Sequence, residues 1–172
     1  MVQRLAHFAI TVRDYDEALA FYVGKLGFEK LEDTDLGGGK RWVRVRPKGS
    51  DAAILLARAV NEQQHASVGN QTGGRVFVFL DTDDFWRDYR ELVARGVTFA
   101  RPPKDEPYGT VAVFEDLYGN RFDLSSAPPS RLPRRSPPRL RSYPAGSTAA
   151  ASPSTGPRPR SSMRASRQLP KR

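Results

Sequence analysis

The chain has 172 residues and no cysteine, which excludes a disulfide framework and a thiolate metal site. Its formal charge of +9 is divided unevenly: Met1–Ser125 carries 17 Lys+Arg against 19 Asp+Glu, while Ser126–Arg172 carries 11 Lys+Arg, no acidic residue and 10 of the 14 prolines. The first part is therefore slightly acidic and offers no basic face for nucleic acid.

Residues 1–125 are expected to form one domain. Residues 126–172, rich in Pro, Arg and Ser, have too few apolar side chains to offset the entropy of ordering them and read as a disordered basic tail. Binding to nucleic acid or to an acidic partner is confined to that tail. Its composition is equally what out-of-frame translation of GC-rich DNA would produce. No N-terminal stretch has the regions of a signal peptide and no run reaches the length of a membrane span, so the expected setting is cytoplasmic with no membrane contact.

In chain order, Leu5–Val12 reads as a strand rich in β-formers. A helix follows, with Asp14 as cap, Glu17 at its third position, and Tyr15, Ala18, Leu19 and Tyr22 forming one apolar stripe. Leu26-Gly27-Phe28 ends it and opens a second strand. Gly37-Gly38-Gly39 reads as a hairpin connection, since nothing around it has the strand-to-helix context of a phosphate loop. Lys40–Arg46 and Ala52–Arg58 read as two further strands.

The segment containing Gln63, Gln64, His65, Asn70 and Gln71 reads as a polar connection. Beyond it the order repeats: a strand at Arg75–Leu80, a candidate cap at Asp83, a stripe of Phe85, Tyr89, Leu92 and Val93, the turn Arg95-Gly96-Val97, and strands at Gly109–Glu115 and Arg121–Leu124. A constant offset of 69 places Asp14 on Asp83, Gly27 on Gly96, and Gly49-Ser50-Asp51 on Tyr118-Gly119-Asn120. Each copy, roughly residues 4–58 and 74–125, is thus βαβββ. One copy cannot cover its own sheet, so the expected fold is α+β with two units packed as a pair and a concave cleft.

Two residues stand out chemically. His7 lies on the first strand, where a satisfied strand histidine and a metal ligand are both open readings. Asp123 alternates with Phe122 and Leu124 on the last strand, so its carboxylate must be exposed, paired or metal-bound. Imidazole and carboxylate converging from different strands would suit a divalent metal. Asp81, an odd number of residues from Val76, is expected on the opposite face. Trp42, Arg44, Tyr108 and Thr110 are candidates to line the concave face, with Arg44 available for an anionic group or simply facing solvent.

The run from His7 to Tyr22, the Leu26-Gly27-Phe28 turn, and Asp116-Leu-Tyr-Gly-Asn-Arg-Phe-Asp123 resemble the opening and closing motifs of the vicinal-oxygen-chelate superfamily, which joins glyoxalases, bleomycin-resistance proteins and extradiol dioxygenases. The resemblance spans nearly all of residues 4–125. It implies that His7 and Asp123 are metal ligands, Asp123 standing where that superfamily usually has Glu and also serving as the proton-moving carboxylate. The implied cofactor is a divalent metal (Fe, Mn, Ni, Co or Zn), or none. At the 69-residue offset the symmetry mates of His7 and Asp123 are Val76 and Ile54, neither of which has a donor atom.

Two functions follow and stay open: a metal-dependent enzyme, either a glyoxalase-like lyase or isomerase or an extradiol-type dioxygenase, and a non-catalytic protein that sequesters an aromatic or cationic compound. The resemblance also implies a homodimer, with a second chain as a route to completing the cleft.

Overall fold

The computed structural model describes residues 1–126. The basic tail, and with it any contact to nucleic acid or an acidic partner, lies outside the described residues, except that Ser126 belongs to the last strand.

The chain forms β1 (His7–Val12), α1 (Tyr15–Leu19, running on as a π-helical segment, Ala20–Lys25), β2 (Glu29–Asp35), β3 (Arg41–Arg46) and β4 (Ala53–Arg58). After α2 (Glu62–Ser67) come β5 (Val76–Thr82), α3 (Phe85–Ala94), β6 (Thr98–Glu106), β7 (Gly109–Glu115) and β8 (Arg121–Ser126). Two four-stranded sheets result, ordered β1-β4-β3-β2 and β5-β8-β7-β6. In each, the first strand pairs in parallel with the last and the remaining pairs are antiparallel. This is the α+β fold of two βαβββ modules.

The helices start where short polar side chains satisfy free amides. Asp14 accepts from the backbone N–H groups of Asp16 and Glu17 at 2.9 and 3.0 Å. Helix α3 is capped by Asp84, which accepts from Arg87 N at 3.0 Å, and not by the expected Asp83, which pairs with the Arg87 guanidinium. The offset between modules is therefore not constant, and two local irregularities explain why. A bulge between Val76 and Val78 adds a residue to β5, moving the cap from 69 to 70. The π-helical segment, with Leu26 N bonded to Phe21 O, takes up one extra residue before Gly27, so Gly96 returns to an offset of 69.

The polar connection expected between modules contains a short helix instead. Asn61 caps α2 by accepting from Gln64 N, and Gln71 then anchors the segment, accepting from Thr11 N and donating to Thr11 O and Ser67 O, while its own N–H reaches Asn120 Oδ1. Side-chain partners for backbone groups are what let this Gly- and Gln-rich stretch hold a path.

Alternation along the strands sends Ile10, Val12, Val43, Val45, Ile54 and Leu56 from one sheet, and Ala112, Phe114, Phe122 and Leu124 from the other, into a single core shared with Tyr15, Ala18, Tyr22, Phe85 and Leu92 of the helices. Tyr22 connects the halves: its ring lies 6.2 Å from Phe122 of the second sheet. The opposite face of each sheet is left to carry the polar residues of interest.

Candidate functional site

Register defines the site. In the second sheet Arg101 pairs with Val113, Val113 with Asp123, and Asp123 with Phe79. Directly opposed residues project from the same side, so these four side chains form one row across β6, β7, β8 and β5, on the face away from the core. Phe122 and Leu124, flanking Asp123, point the other way and are buried.

Two features shape this face. β6 is the edge strand, where the Pro102-Pro103 pair is tolerated because no further strand needs their missing N–H groups. Between Arg101 and Lys104 those prolines bulge against the single residue Ala112. The resulting cleft, about 520 Å³, is lined by Arg101, Pro103, Lys104, Tyr108, Val113 and Asp123 among others. Its size falls within the range of small-molecule sites, roughly 300 to 1,000 Å³.

Asp123 Oδ1 is buried there without a hydrogen-bond partner. Burial raises the Asp123 pKa above the ordinary carboxylate value, Arg101 opposes that shift and Asp81 adds to it. Asp81 thus shares this face, contrary to its expected orientation. The bulge in β5 reverses the alternation beyond Phe77, pairing Asp81 with Ser125, whose hydroxyl donates to Asp81 Oδ1 at 3.0 Å.

The equivalent row of the first sheet is Glu32, Arg44, Leu55 and Ala9. Here Arg44 is already engaged: its Nε and Nη2 both donate to Glu32 Oε2, at 3.2 and 2.8 Å. His7 packs edge-on against Trp42, ring centroids 5.6 Å apart, and its Nδ1 is buried without a hydrogen-bond partner. Tyr108 stands exposed at the rim of the other sheet's cleft.

The structural mates of the two proposed ligands are Leu55 for Asp123 and Phe77 for His7, one residue on from the expected Ile54 and Val76. Leu55 is aliphatic, and the bulge turns Phe77 toward the core, where its ring meets Phe8 at 5.6 Å. Neither mate has a donor atom. The cleft around Asp123 is lined by β6–β8 and their hairpin, His7 belongs to the other sheet, and no group of three or more His, Cys, Asp or Glu side chains gathers among the described residues. The donors present do not fit a resident divalent metal.

Arg101 is the site residue that reading the sequence alone misses. Its signal was present in the Arg-Pro-Pro run, which marks an edge strand with a bulge, and in the hairpin turn at Pro107-Tyr108, from which the pairing of Arg101 with Val113 can be counted back.

The model of the Glyoxalase/Bleomycin resistance protein/Dioxygenase superfamily matches residues 4–124. The chain belongs to that superfamily. Among its relatives, an uncharacterized protein of Shewanella frigidimarina is 57% identical over 126 residues, covering 72% of this chain and 93% of its own. Two solved structures share the superfamily fold at higher identity than fold alone requires. UcmS2 is 34% identical with a TM-score of 0.66, over 74% of this chain and 100% of that one. TnmS3, an antibiotic binding protein from Streptomyces sp. CB03234, is 31% identical with a TM-score of 0.60, over 73% of this chain and 97% of that one. The superfamily's description thus spans dioxygenases and resistance proteins, and one of these neighbours is an antibiotic binding protein. Among the described residues no helix is long and apolar enough to cross a membrane.

Proposed function

We propose that this superfamily member binds a small aromatic molecule without transforming it, using the faces that carry Asp123 and His7. The observation that carries the reading is the surroundings of each donor: Asp123 lines a cleft whose walls contain no imidazole, while His7 packs against Trp42 of its own sheet. A cleft that mixes the apolar Pro102, Pro103, Val111, Ala112 and Val113 with a few polar groups suits orientation of a bound ligand better than activation of one. The likeness to an antibiotic binding protein supports the same reading.

The metal-dependent lyase, isomerase or dioxygenase is the second reading, and the presence of His7 and Asp123 at the two motif positions favours it. The homodimer implied by the superfamily belongs to either reading. Light-scattering mass of the purified chain tests it, with a monomer at all concentrations counting against it.

Metal analysis discriminates the two functions. The full chain and the double variant His7→Ala, Asp123→Ala are incubated with Fe, Mn, Ni, Co or Zn, desalted and assayed. Substoichiometric metal, equal in both proteins, is the expected result. One equivalent retained by the natural sequence and lost in the variant overturns the proposal and restores the metal enzyme.

A further inference from the structure

The two outward rows are unequal, and the difference selects a ligand. In the first sheet the guanidinium of Arg44 is closed off by Glu32. In the second, Arg101 occupies the corresponding edge strand with no ion pair among the described residues, since neither Asp123 nor Asp81 comes within salt-bridge distance. Lys104, the other cation of the cleft, is neutralised by Glu106. Asp81 has taken the Ser125 hydroxyl. An open guanidinium and an unpartnered carboxyl oxygen therefore remain, at either end of the Arg101, Val113, Asp123 line.

Two strand spacings separate their backbones by about 10 Å, with the apolar Val113 as floor and Pro102 and Pro103 as one wall. That span accommodates a planar ring laid over Val113, with one polar substituent at each end. A guanidinium fork prefers a carboxylate or other anionic oxygen, which it meets with two parallel hydrogen bonds. A buried carboxyl oxygen with no partner calls for a hydrogen-bond donor. A cation would meet the unpaired guanidinium of Arg101 as a like charge.

Resting on the binding function proposed above, we infer that the second-sheet cleft takes an aromatic acid: its anionic oxygen on Arg101, its ring over Val113 between the prolines, and a hydroxyl or amino donor on Asp123 Oδ1. This narrows the ligand to an anionic class and excludes the cationic one. It also makes Arg101, rather than Arg44, the residue that sets charge preference.

Calorimetric titration of the full chain tests the inference with three probes of one ring system: 6-hydroxy-2-naphthoate, whose two polar groups lie at opposite ends, its methyl ester, and a naphthylmethyl trimethylammonium salt. The acid is expected to bind at least about ten-fold tighter than either of the others, as a charge-assisted pair requires. Arg101→Gln, at an exposed position, is expected to abolish that preference while leaving the ester within about two-fold and the melting temperature unchanged. Asp123→Asn should weaken 6-hydroxy-2-naphthoate more than 2-naphthoate, which lacks the hydroxyl donor. Equal or tighter binding of the ester or the cation, or an acid affinity indifferent to Arg101→Gln, overturns the inference and leaves the binding function standing. Failure of all three probes to bind counts against both.

Discussion

Tyr22 Oη donates to Asp116 Oδ2 at 2.6 Å, joining the helix of the first module to the β7–β8 turn of the second in a fully buried contact. Asp116 also accepts from Tyr118 N, Asn120 N and Asn120 Nδ2, at 2.8, 2.9 and 2.8 Å, so the carboxylate is saturated. Burial, the Asp116 charge and the hydrogen bond together push the Tyr22 phenol well above its ordinary pKa, keeping it a donor. Tyr22→Phe removes one bond to a charged acceptor and is expected to cost about 2 kcal/mol, lowering the melting temperature by roughly 8 °C. Thermal melting by circular dichroism measures this, and a loss below about 0.5 kcal/mol would mean that the remaining three bonds suffice.

The segment that connects the modules runs close to the same turn. At Gly69, φ is +79° and an added Cβ would stand 1.9 Å from the Tyr118 carbonyl oxygen. Gly37, in the β2–β3 hairpin, has nearly the same φ, +81°, but open space around it. Left-handed backbone strain of about 1 kcal/mol is common to both Ala variants. The excess for Gly69→Ala, expected at about 2 kcal/mol or more, isolates the clash. Equal urea midpoints for the two variants would show that the connection moves aside freely.

Periodicity made the architecture legible: the alternation in Ile10/Val12 and Phe122/Leu124 and the helical stripe through Tyr15, Ala18 and Tyr22 all report burial directly. What stayed hidden depends on insertions of single residues. The bulge at Phe77 and the π-helical segment after Leu19 each shift the frame by one, and no pattern of apolar residues announces either. Asp81 was consequently assigned the wrong face and Asp83 the role of Asp84, while Ile54 took that of Leu55 because the connection between β3 and β4 is one residue longer than that between β7 and β8. Of the site, Asp123, Tyr108 and His7 are visible as residue types at strand positions. The engagement of Arg44 by Glu32 and the openness of Arg101 depend on the register of neighbouring strands, which is reset by irregularities between Lys30 and Glu32 and between Arg101 and Lys104.

Burial raises the pKa of Asp123, so the folded chain binds a proton there more readily than the unfolded chain. Stability is accordingly expected to fall as pH rises from the ordinary Asp value near 3.8 through the raised one, because ionisation then opposes folding. Asp123→Asn removes that opposition. Its melting temperature should match or trail the natural sequence near pH 3 and exceed it at pH 7. A variant less stable at pH 7 than at pH 3, relative to the natural sequence, would place a compensating cation on the carboxylate.

Arg41 behaves in the opposite sense. Its Nε and Nη2 donate to the two oxygens of Asp33 at 2.9 and 2.7 Å, Nη1 donates to Asp16 at 2.7 Å, and the guanidinium lies 5.2 Å from the Tyr15 ring centroid. The bonds from Arg41, aided by Lys30, hold the Asp33 pKa below its ordinary value near 3.8. Between those two values the unfolded chain binds more protons, so the stabilisation is complete above about pH 4 and disappears as pH falls through the depressed pKa. Partial exposure limits its size, and Arg41→Gln is expected to cost about 1 kcal/mol at pH 7. Lowering the pH to about 2 should shrink the gap between the two proteins without closing it, because packing of the guanidinium on Tyr15 does not titrate. Molar salt should shrink the pH 7 gap as well, through screening of the exposed Asp16 arm. A gap that holds constant from pH 2 to 7 would assign the whole effect of Arg41 to its contact with the ring.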